Sequence, residues 1–310
     1  MPPFFGYHMP NFTFPGLPPE DRFDRIVELT LAAETAGFDL VTVMDHFYQI
    51  GGAPPDEPMM EAYTTLGALA ARTSRVRLAT LVTGVTYRNP ALVAKMVTTL
   101  DVISKGRAIL GIGAAWNETE HAGYGFAFPP IGERMDRLDE ALTICRKMFT
   151  EERPSFNGKH YCIDQALNSP RPIQAGGPKV LIGGGGERRT LRLVARHGDI
   201  SHWWGTLDEL KHKTEVLERH CEAEGRDPST IMRTAGAPVV LVESEREAAA
   251  MLERIPEARR RMVSPATVEQ AAERLQPFLA AGISGFTFNN PTMPTPEAIA
   301  LAGELRRLLS

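Results

Sequence analysis

The sequence predicts an α/β fold: a single (β/α)8 barrel of the TIM type spanning residues 1–310. Three observations lead there. Apolar runs of strand length alternate along the chain with longer stretches of helical spacing. Eight such runs can be counted, most of them followed by a helix. Finally, 310 residues is room enough for eight β/α units plus insertions. A doubly wound open sheet is the competing arrangement, since a miscount of a strand or two would suffice to produce it.

The first run is "FFGYHM". After it, residues 21–36 place Phe23, Ile26, Val27, Thr30 and Leu31 at helical spacing, and Gly37 suits a helix C-cap. "DLVTVMD" (39–45) is nearly continuous in apolar residues, as a parallel strand covered on both faces requires. Helix "MMEAYTTLGALAARTS" leads to strand "VRLATLVTG". Helix "PALVAKMVTTLDVIS", with Pro90 in its first turn, leads to strand "RAILGIG". After Gly113 the rhythm breaks for an insertion, and a helix over 131–150 follows. The stretch 151–178 holds Pro154, Pro170, Pro172 and Pro178, and within it "PSFNGKHYCI" reads as a hairpin turning at Asn157-Gly158. Strand "KVLIGG", a helix over 187–197, strand "GDISHWW" and a helix over 206–224 resume the alternation. Strand "TAGAPVVLV" and a helix from 244 come next. The polar stretch "PEARRRMV" (256–263) separates that helix from one begun at Ser264-Pro265, and its arginines suit a mobile lid. Strand "GFTFNN" and helix "PEAIALAGELRRLL" complete the eight.

Composition narrows the function. A balance of 34 basic against 38 acidic side chains argues against a dedicated nucleic-acid binder. Three cysteines, Cys145, Cys162 and Cys221, form no CxxC pair, which points to reduced thiols in a cytoplasmic protein and to no zinc site. The start "MPPFFGYHMPNFTFPG" lacks a basic segment and is broken by prolines, so no signal peptide is expected. No apolar run is long enough to span a membrane.

In a barrel of this type chemistry gathers at the C-terminal ends of the strands. Asp45-His46 closes the second strand, a carboxylate and an imidazole suited to acid/base work, metal binding or hydrogen bonding. Metal binding is disfavoured because the first strand offers only His8, where a binuclear hydrolase needs His-x-His. Thr80, Thr83 and Thr86 set hydroxyls along the third strand end, although β-propensity alone explains threonines there. The fourth strand ends with Gly111 and Gly113, which permit close approach to the backbone, and with Asn117, which can both donate and accept. Trp203-Trp204 at the sixth strand end either walls a pocket or fills the barrel mouth.

The stretch "KVLIGGGGERRTL" (179–191) fits neither common phosphate loop, because no Gly-Lys-Ser/Thr follows and Arg188 stands where GxGxxG needs its third glycine. Placed after the fifth strand, Gly183, Gly184, Gly185 and Gly186 lead into a helix whose first turn holds Glu187, Arg188 and Arg189. Exposed amides, a helix dipole and guanidiniums make an anion site. A glycine-rich turn with solvated arginines is the structural alternative.

Together, "GFDLVTVMDHF", "TLVTGVTYRNPA", "GRAILGIGAAWNETEHAGYG" and "PKVLIGGGGERRTLRLVARHGD" resemble the bacterial luciferase-like superfamily, and most closely its coenzyme F420-dependent oxidoreductases. The resemblance runs from about residue 20 to 285, with its specificity concentrated in 39–200. It implies a deazaflavin ring at the barrel mouth and a non-prolyl cis peptide in the third strand, aligned here with Thr80-Leu81. By this resemblance Asp45 and His46 stand beside the ring as the catalytic pair, with the histidine near the hydride-bearing carbon. Thr80, Leu81, Thr83, Ile112, Gly113 and Asn117 would contact the ring and ribityl chain. Gly183 to Gly186, with Arg188 and Arg189, would hold the phosphate. One departure stands out: where the sugar-phosphate dehydrogenases of the family carry a glutamate after Gly-x-Gly, this chain has Ala114, which disfavours glucose 6-phosphate as substrate.

The expected function is therefore hydride transfer between F420 and a small organic substrate. The alternatives are an FMN-dependent monooxygenase using reduced flavin and oxygen, and a non-catalytic cofactor binder. The resemblance also implies a homodimer packed through helices near the second and third strands, for which "EAYTTLGALAARTS" is apolar enough.

Overall fold

The computed structural model describes residues 2–255, 257–260 and 264–310. The chain lays down β1 (Phe4–Met9), α1 (Arg22–Thr35), β2 (Leu40–Val43), α2 (Ala62–Arg72), β3 (Arg77–Thr80), β4 (Thr83–Gly84), α3 (Pro90–Ile103) and β5 (Ile109–Gly113). After the insertion helix α4 (Glu118–Tyr124) and the long α5 (Ile131–Thr150) comes a hairpin of β6 (Phe156–Asn157) and β7 (Cys162–Ile163). The alternation resumes with β8 (Lys179–Gly183), α6 (Thr190–His197), β9 (Ile200–Trp203), α7 (Leu207–Ala223) and β10 (Met232–Gly236). A side excursion of β11 (Val239–Leu241), α8 (Glu245–Arg254), α9 (Glu257–Arg260) and β12 (Ser264–Ala266) precedes α10 (Val268–Ala280), β13 (Gly285–Asn289) and α11 (Pro296–Leu308).

The barrel strands pair in parallel in the order β3-β2-β1-β13-β10-β9-β8-β5-β4. β3 and β4 are two halves of one strand, and a parallel bridge between Leu78 and Ala108 brings β3 back against the fourth barrel strand. The sheet is thus nearly closed, with eight strand positions, as expected for a TIM-type barrel.

Strand alternation sorts the side chains. Leu40, Ala79, Ile109, Leu181 and Ile200 form an apolar plug inside the lower barrel, while the larger core lies between sheet and helices. Above the plug the interior turns polar. His8 Nδ1 sits 2.8 Å from Thr42 Oγ1, and His202 Nδ1 sits 3.0 Å from Thr234 Oγ1. Burial and the neighbouring His202 push the His8 imidazole down to about 3, and burial pushes His202 down to about 4, so both are neutral at ordinary pH.

Several expectations shift. The seventh strand does not run through to residue 242. Pro238 lacks an amide for the ladder, and the chain leaves the barrel after Gly236, so that β11 pairs with β12 instead. Ser264-Pro265 accordingly opens a strand rather than a helix, and α10 begins after the Thr267 N-cap, which forms a capping box with Gln270. The hairpin forms, but Asn157 pairs with Cys162, so the turn is centred on Lys159-His160 and closed by Gly158 N–H to Tyr161 O. Of the stretch read as a lid, Glu257–Arg260 is a short helix, while 256 and 261–263 lie outside the described residues. Among the described residues no helix is long and apolar enough to cross a membrane.

Strand β5 passes so close to β3 that a Cβ on Gly111 would sit inside the carbonyl oxygen of Thr80. Gly67, within α2, has nothing within 4 Å of where a Cβ would go. Gly111→Ala should therefore cost about 2–4 kcal/mol of stability, whereas Gly67→Ala should gain up to about 1 kcal/mol. Urea unfolding of the two variants measures both, and equal effects would contradict this packing.

Candidate active site

The mouth of the barrel takes its shape from the break in the third strand. The β2–β3 ladder holds as far as Thr80, and Leu81 N–H still reaches Val43 O at 2.9 Å. The cis peptide therefore falls at Leu81–Val82, one residue later than the alignment with Thr80-Leu81 implied, because the chain leaves the ladder only after Leu81. Past that point Val82 turns into the mouth. A Cβ on Gly113 would stand 2.8 Å from its Cγ2, and one on Gly183 would stand 2.9 Å from its Cγ1. Side chains at those two positions would collide with Val82, so glycine at the fourth and fifth strand ends keeps the cleft open to the backbone.

A cleft of about 370 Å³ runs across this floor. It connects Asp45 and His46 at one end with Gly183, Gly184 and Thr190 at the other, passing Leu81, Val82 and Gly113. A second chamber of about 610 Å³ adjoins it and shares His46, Leu81, Trp116 and Trp204. His46 thus stands on the border between two cavities.

Glu120, which the sequence did not single out, organises that border. It is fully buried on α4, and its Oε2 lies 2.6 Å from His46 Nδ1. Its Oε1 accepts the amides of Phe47 (2.5 Å) and Tyr48 (2.9 Å), and the Tyr87 hydroxyl donates to Oε2 at 3.2 Å. Burial opposes the charge on this carboxyl, but the His46 hydrogen bond and the two amides outweigh it and hold Glu120 below the usual range. An ionised carboxylate can only accept, so His46 Nδ1 donates to Glu120, and Nε2 is the ring nitrogen left free of that tie. The imidazole edge meets the Trp116 ring at 5.5 Å between centroids. No periodic signal marks Glu120 in "NETEHAGYG"; its role exists only through contacts with residues 33 to 74 positions away.

Asp45 lines the cleft but has a different partner. Arg88 grips it with both terminal nitrogens, at 2.7 and 3.0 Å, and reaches Glu61 at 2.8 Å. Burial raises the Asp45 carboxyl and Arg88 counters it. A carboxylate held this way orients its neighbours, and its freedom to trade protons is reduced. Thr80 and Thr83 do not reach the cleft: their hydroxyls bond each other at 2.8 Å, Thr80 donates to Gly111 O, and Thr83 Oγ1 lies 2.7 Å from the Tyr63 hydroxyl. Ile112 faces the outer core, so only its backbone is turned toward the site. Asn117 precedes α4 with its side chain half-buried, and its carbonyl lies 2.6 Å from His121 Nδ1.

The glycine stretch also departs from expectation in detail. Helix α6 begins at Thr190 with Arg189 as its N-cap, so Glu187, Arg188 and Arg189 form the turn before the helix rather than its first turn. Gly184 adopts φ +110°, a backbone conformation natural to glycine, and its amide donates to His202 O. The amides of Gly185, Gly186, Glu187, Arg188 and Arg189 donate to no acceptor among the described residues. Arg188 is exposed without an ion-pair partner there, while Arg189 is engaged by Asp136 and by Gly132 O. Free amides beside one uncommitted guanidinium are the groups an anion nest is built from. Among the described residues no cluster of three or more metal-ligating side chains occurs.

The Glu120 tie has a pH signature. Its carboxyl is depressed below 4.5, so it adds stability that is complete above that pH and is lost as pH falls through the folded-state value. Glu120→Gln should be less stable than the parent at pH 7 and should lose less stability on going below pH 4.5. Denaturant unfolding at stepped pH measures the two slopes, and parallel slopes would contradict the assignment.

Three kinds of comparison place this architecture. The model of the family described as luciferase-like monooxygenase matches residues 4–301. An F420-dependent glucose-6-phosphate dehydrogenase of Intrasporangium calvum is 40% identical over 189 residues, 56% of this chain and 52% of that protein. The matched stretch thus spans about half the length of that relative. A protein of the same name from Amycolatopsis mediterranei is 28% identical over 299 residues, covering 86% of this chain and 88% of its own length. Among solved structures, an F420-dependent secondary alcohol dehydrogenase in complex with an F420-acetone adduct superposes with a TM-score of 0.79 at 20% identity over 100% of both chains. An EDTA monooxygenase from Chelativorans sp. gives 0.84 at 16% identity over 99% of this chain and 93% of that one. With the barrel, the broken third strand and a family match over nearly its whole length, the chain belongs to the luciferase-like monooxygenase family.

Proposed function

We propose that this protein is an F420-dependent oxidoreductase that moves a hydride between the deazaflavin and a small organic substrate. The observation that carries the reading is the single cleft joining His46 to the glycine turn after β8. A ligand with a flat head and a phosphorylated tail can span it. The relatives named F420-dependent glucose-6-phosphate dehydrogenase favour the deazaflavin as that ligand.

The residues present fit such a group. Glycines at 113 and 183 leave the cleft floor open beside Val82, and the unpaired amides of residues 185–189 with Arg188 suit a phosphate diester. Backbone at Leu81–Val82 and Gly113 would back the ring, and Gly183, Gly184 and Thr190 would carry the chain toward the phosphate. When bound, the deazaflavin supplies a ring carbon that accepts or returns a hydride. This chain's own residues handle the proton. His46 presents Nε2 at the border of the two cavities, oriented by Glu120, and takes a hydroxyl proton as the adjacent C–H bond breaks or returns it in reverse. Asp45, fixed by Arg88, holds negative potential beside the imidazole.

The proposal extends to a homodimer, for which the surface hollow between α2 and α3, lined by Gly67, Met96 and Ile103, supplies an apolar face. Three free thiols, one of them exposed at Cys162, suit a reducing cytoplasm.

Fluorescence titration with F420 and with FMN tests the cofactor. The expected outcome is a dissociation constant on the order of micromolar for F420 and no FMN binding. The reverse preference would replace this reading with a flavin monooxygenase. His46→Ala should lower turnover by about 10²–10⁴-fold and leave F420 affinity nearly unchanged. A protein that binds the cofactor tightly but shows no turnover to lose would be a binder, not an enzyme.

A further inference from the structure

The underside of the barrel, at the other end of the strands from the cleft, carries charge that the site described above does not use. Below the apolar plug a cavity of about 530 Å³ opens at the N-terminal strand ends. Five cationic side chains line it (Arg75, Arg77, Arg107, Lys179 and Arg306) against the carboxylates of Glu34 and Asp39, a local positive surplus in a chain whose net charge is −4. Much of that charge is committed. Arg306 reaches both oxygens of Asp39, and Arg107 donates to the carbonyls of Ala70, Thr73, Val76 and Ser104. The Glu34 carboxylate accepts the amides of Ser74, Arg75 and Val76. Arg77 and Lys179 differ, because neither side chain has a hydrogen-bond or ion-pair partner among the described residues. Asp39, whose charge Arg77 senses, is already held by Arg306. In register, Arg77 stands beside Leu40 and Lys179 beside Ile109, both plug residues, so strand alternation turns the two cations toward the barrel axis. They also bracket the thinnest lateral join of the sheet. β3 meets β5 through the isolated Leu78–Ala108 bridge, whereas the β2–β3 and β5–β8 ladders each carry four register pairs.

We propose that this basin binds a compact anion with two linked charged centres, a diphosphate or a di- or tricarboxylate, and that the bound anion staples the barrel across the β3–β5 seam. Strands β3 and β8 lie on either side of β5, so Arg77 and Lys179 are rooted on the order of 10 Å apart. Their long stems let both heads close on one ligand, the guanidinium as a two-pronged donor and the ammonium as a point charge. Arg75 and Arg107 add positive potential in the same concave wall, which focuses the field on the ligand. An anion that binds the folded barrel and finds no such pair on the unfolded chain stabilises the fold by mass action. The two strands so joined end above at Thr80 and Gly183, beside the break and the floor of the cleft. The inference does not depend on the cofactor reading, since no residue lining the basin lines the cleft.

Thermal unfolding and titration calorimetry in low-salt buffer free of divalent metals test this, with inorganic pyrophosphate and citrate as the probes. At about 10 mM, against a dissociation constant of about 1 mM, a binding anion should raise Tm by about 2–5 °C. Sodium chloride at matched ionic strength should not. Lys179→Ala and Arg77→Met, each compared with its own anion-free baseline, should weaken binding at least about fivefold, and Lys179→Arg should retain it. Lys179 is exposed, so its replacement leaves the packing intact. The free amides after β8 are the competing anion site, and Arg188→Ala should leave the affinity within about twofold of the parent. A response to pyrophosphate alone assigns a diphosphate, a response to citrate alone assigns a carboxylate, and a response to both assigns a site that reads charge; each supports the proposal. No response to either probe, an equal response to sodium chloride, or a response that Arg188→Ala removes and Lys179→Ala spares overturns it.

Discussion

The mouth of this barrel depends on where Val82 goes. Once the third strand leaves its ladder after Leu81, an isopropyl group occupies the space over the fourth and fifth strand ends. Only glycine fits at 113 and 183, and with no side chains there the backbone itself becomes the floor of the cleft. Beyond Gly183 the chain turns through Gly184 in a left-handed conformation and presents amides with no acceptor among the described residues. Strand break, open floor and free amides are thus linked consequences of one steric arrangement.

Electrostatics then separates the ionisable groups around the mouth. The barrel interior neutralises its two other histidines: burial removes the charge from His8 and His202. Asp45 is charge-paired with Arg88. Among the described residues His46 is the one ionisable side chain that lines both cavities, and Glu120 holds its Nδ1 from a helix in the insertion after β5. The insertion therefore does more than cover the mouth, since it brings the carboxylate that orients the imidazole and the indole that flanks it.

Much of this was legible in the sequence. Apolar runs marked the strands, because strands buried on both faces must be apolar, and strand ends pointed to Asp45-His46 and to the glycines. The parts that were not legible share a cause. Glu120 acquires its role from partners on another loop, and a short helix with few apolar residues carries no periodic trace of its buried face. The seventh strand looked continuous because "APVVLV" is apolar throughout, yet Pro238 separates a barrel segment from one that pairs with 264–266. The turn at 187–189 read as helix because helix-forming residues directly precede Thr190, whereas the glycines before it set the backbone. Thr80, Thr83 and Ile112 sat at plausible strand-end positions, but parity turned their side chains away from the cleft.

The account stands most directly on where a bound cofactor lies. A crystal structure of the protein with F420 should place the tricyclic ring against Leu81–Val82 and Gly113 with its reactive edge toward His46, and the first phosphate within hydrogen-bonding distance of the amides of residues 185–189. A ring outside that cleft, or a phosphate bound away from the glycine turn, would contradict the account.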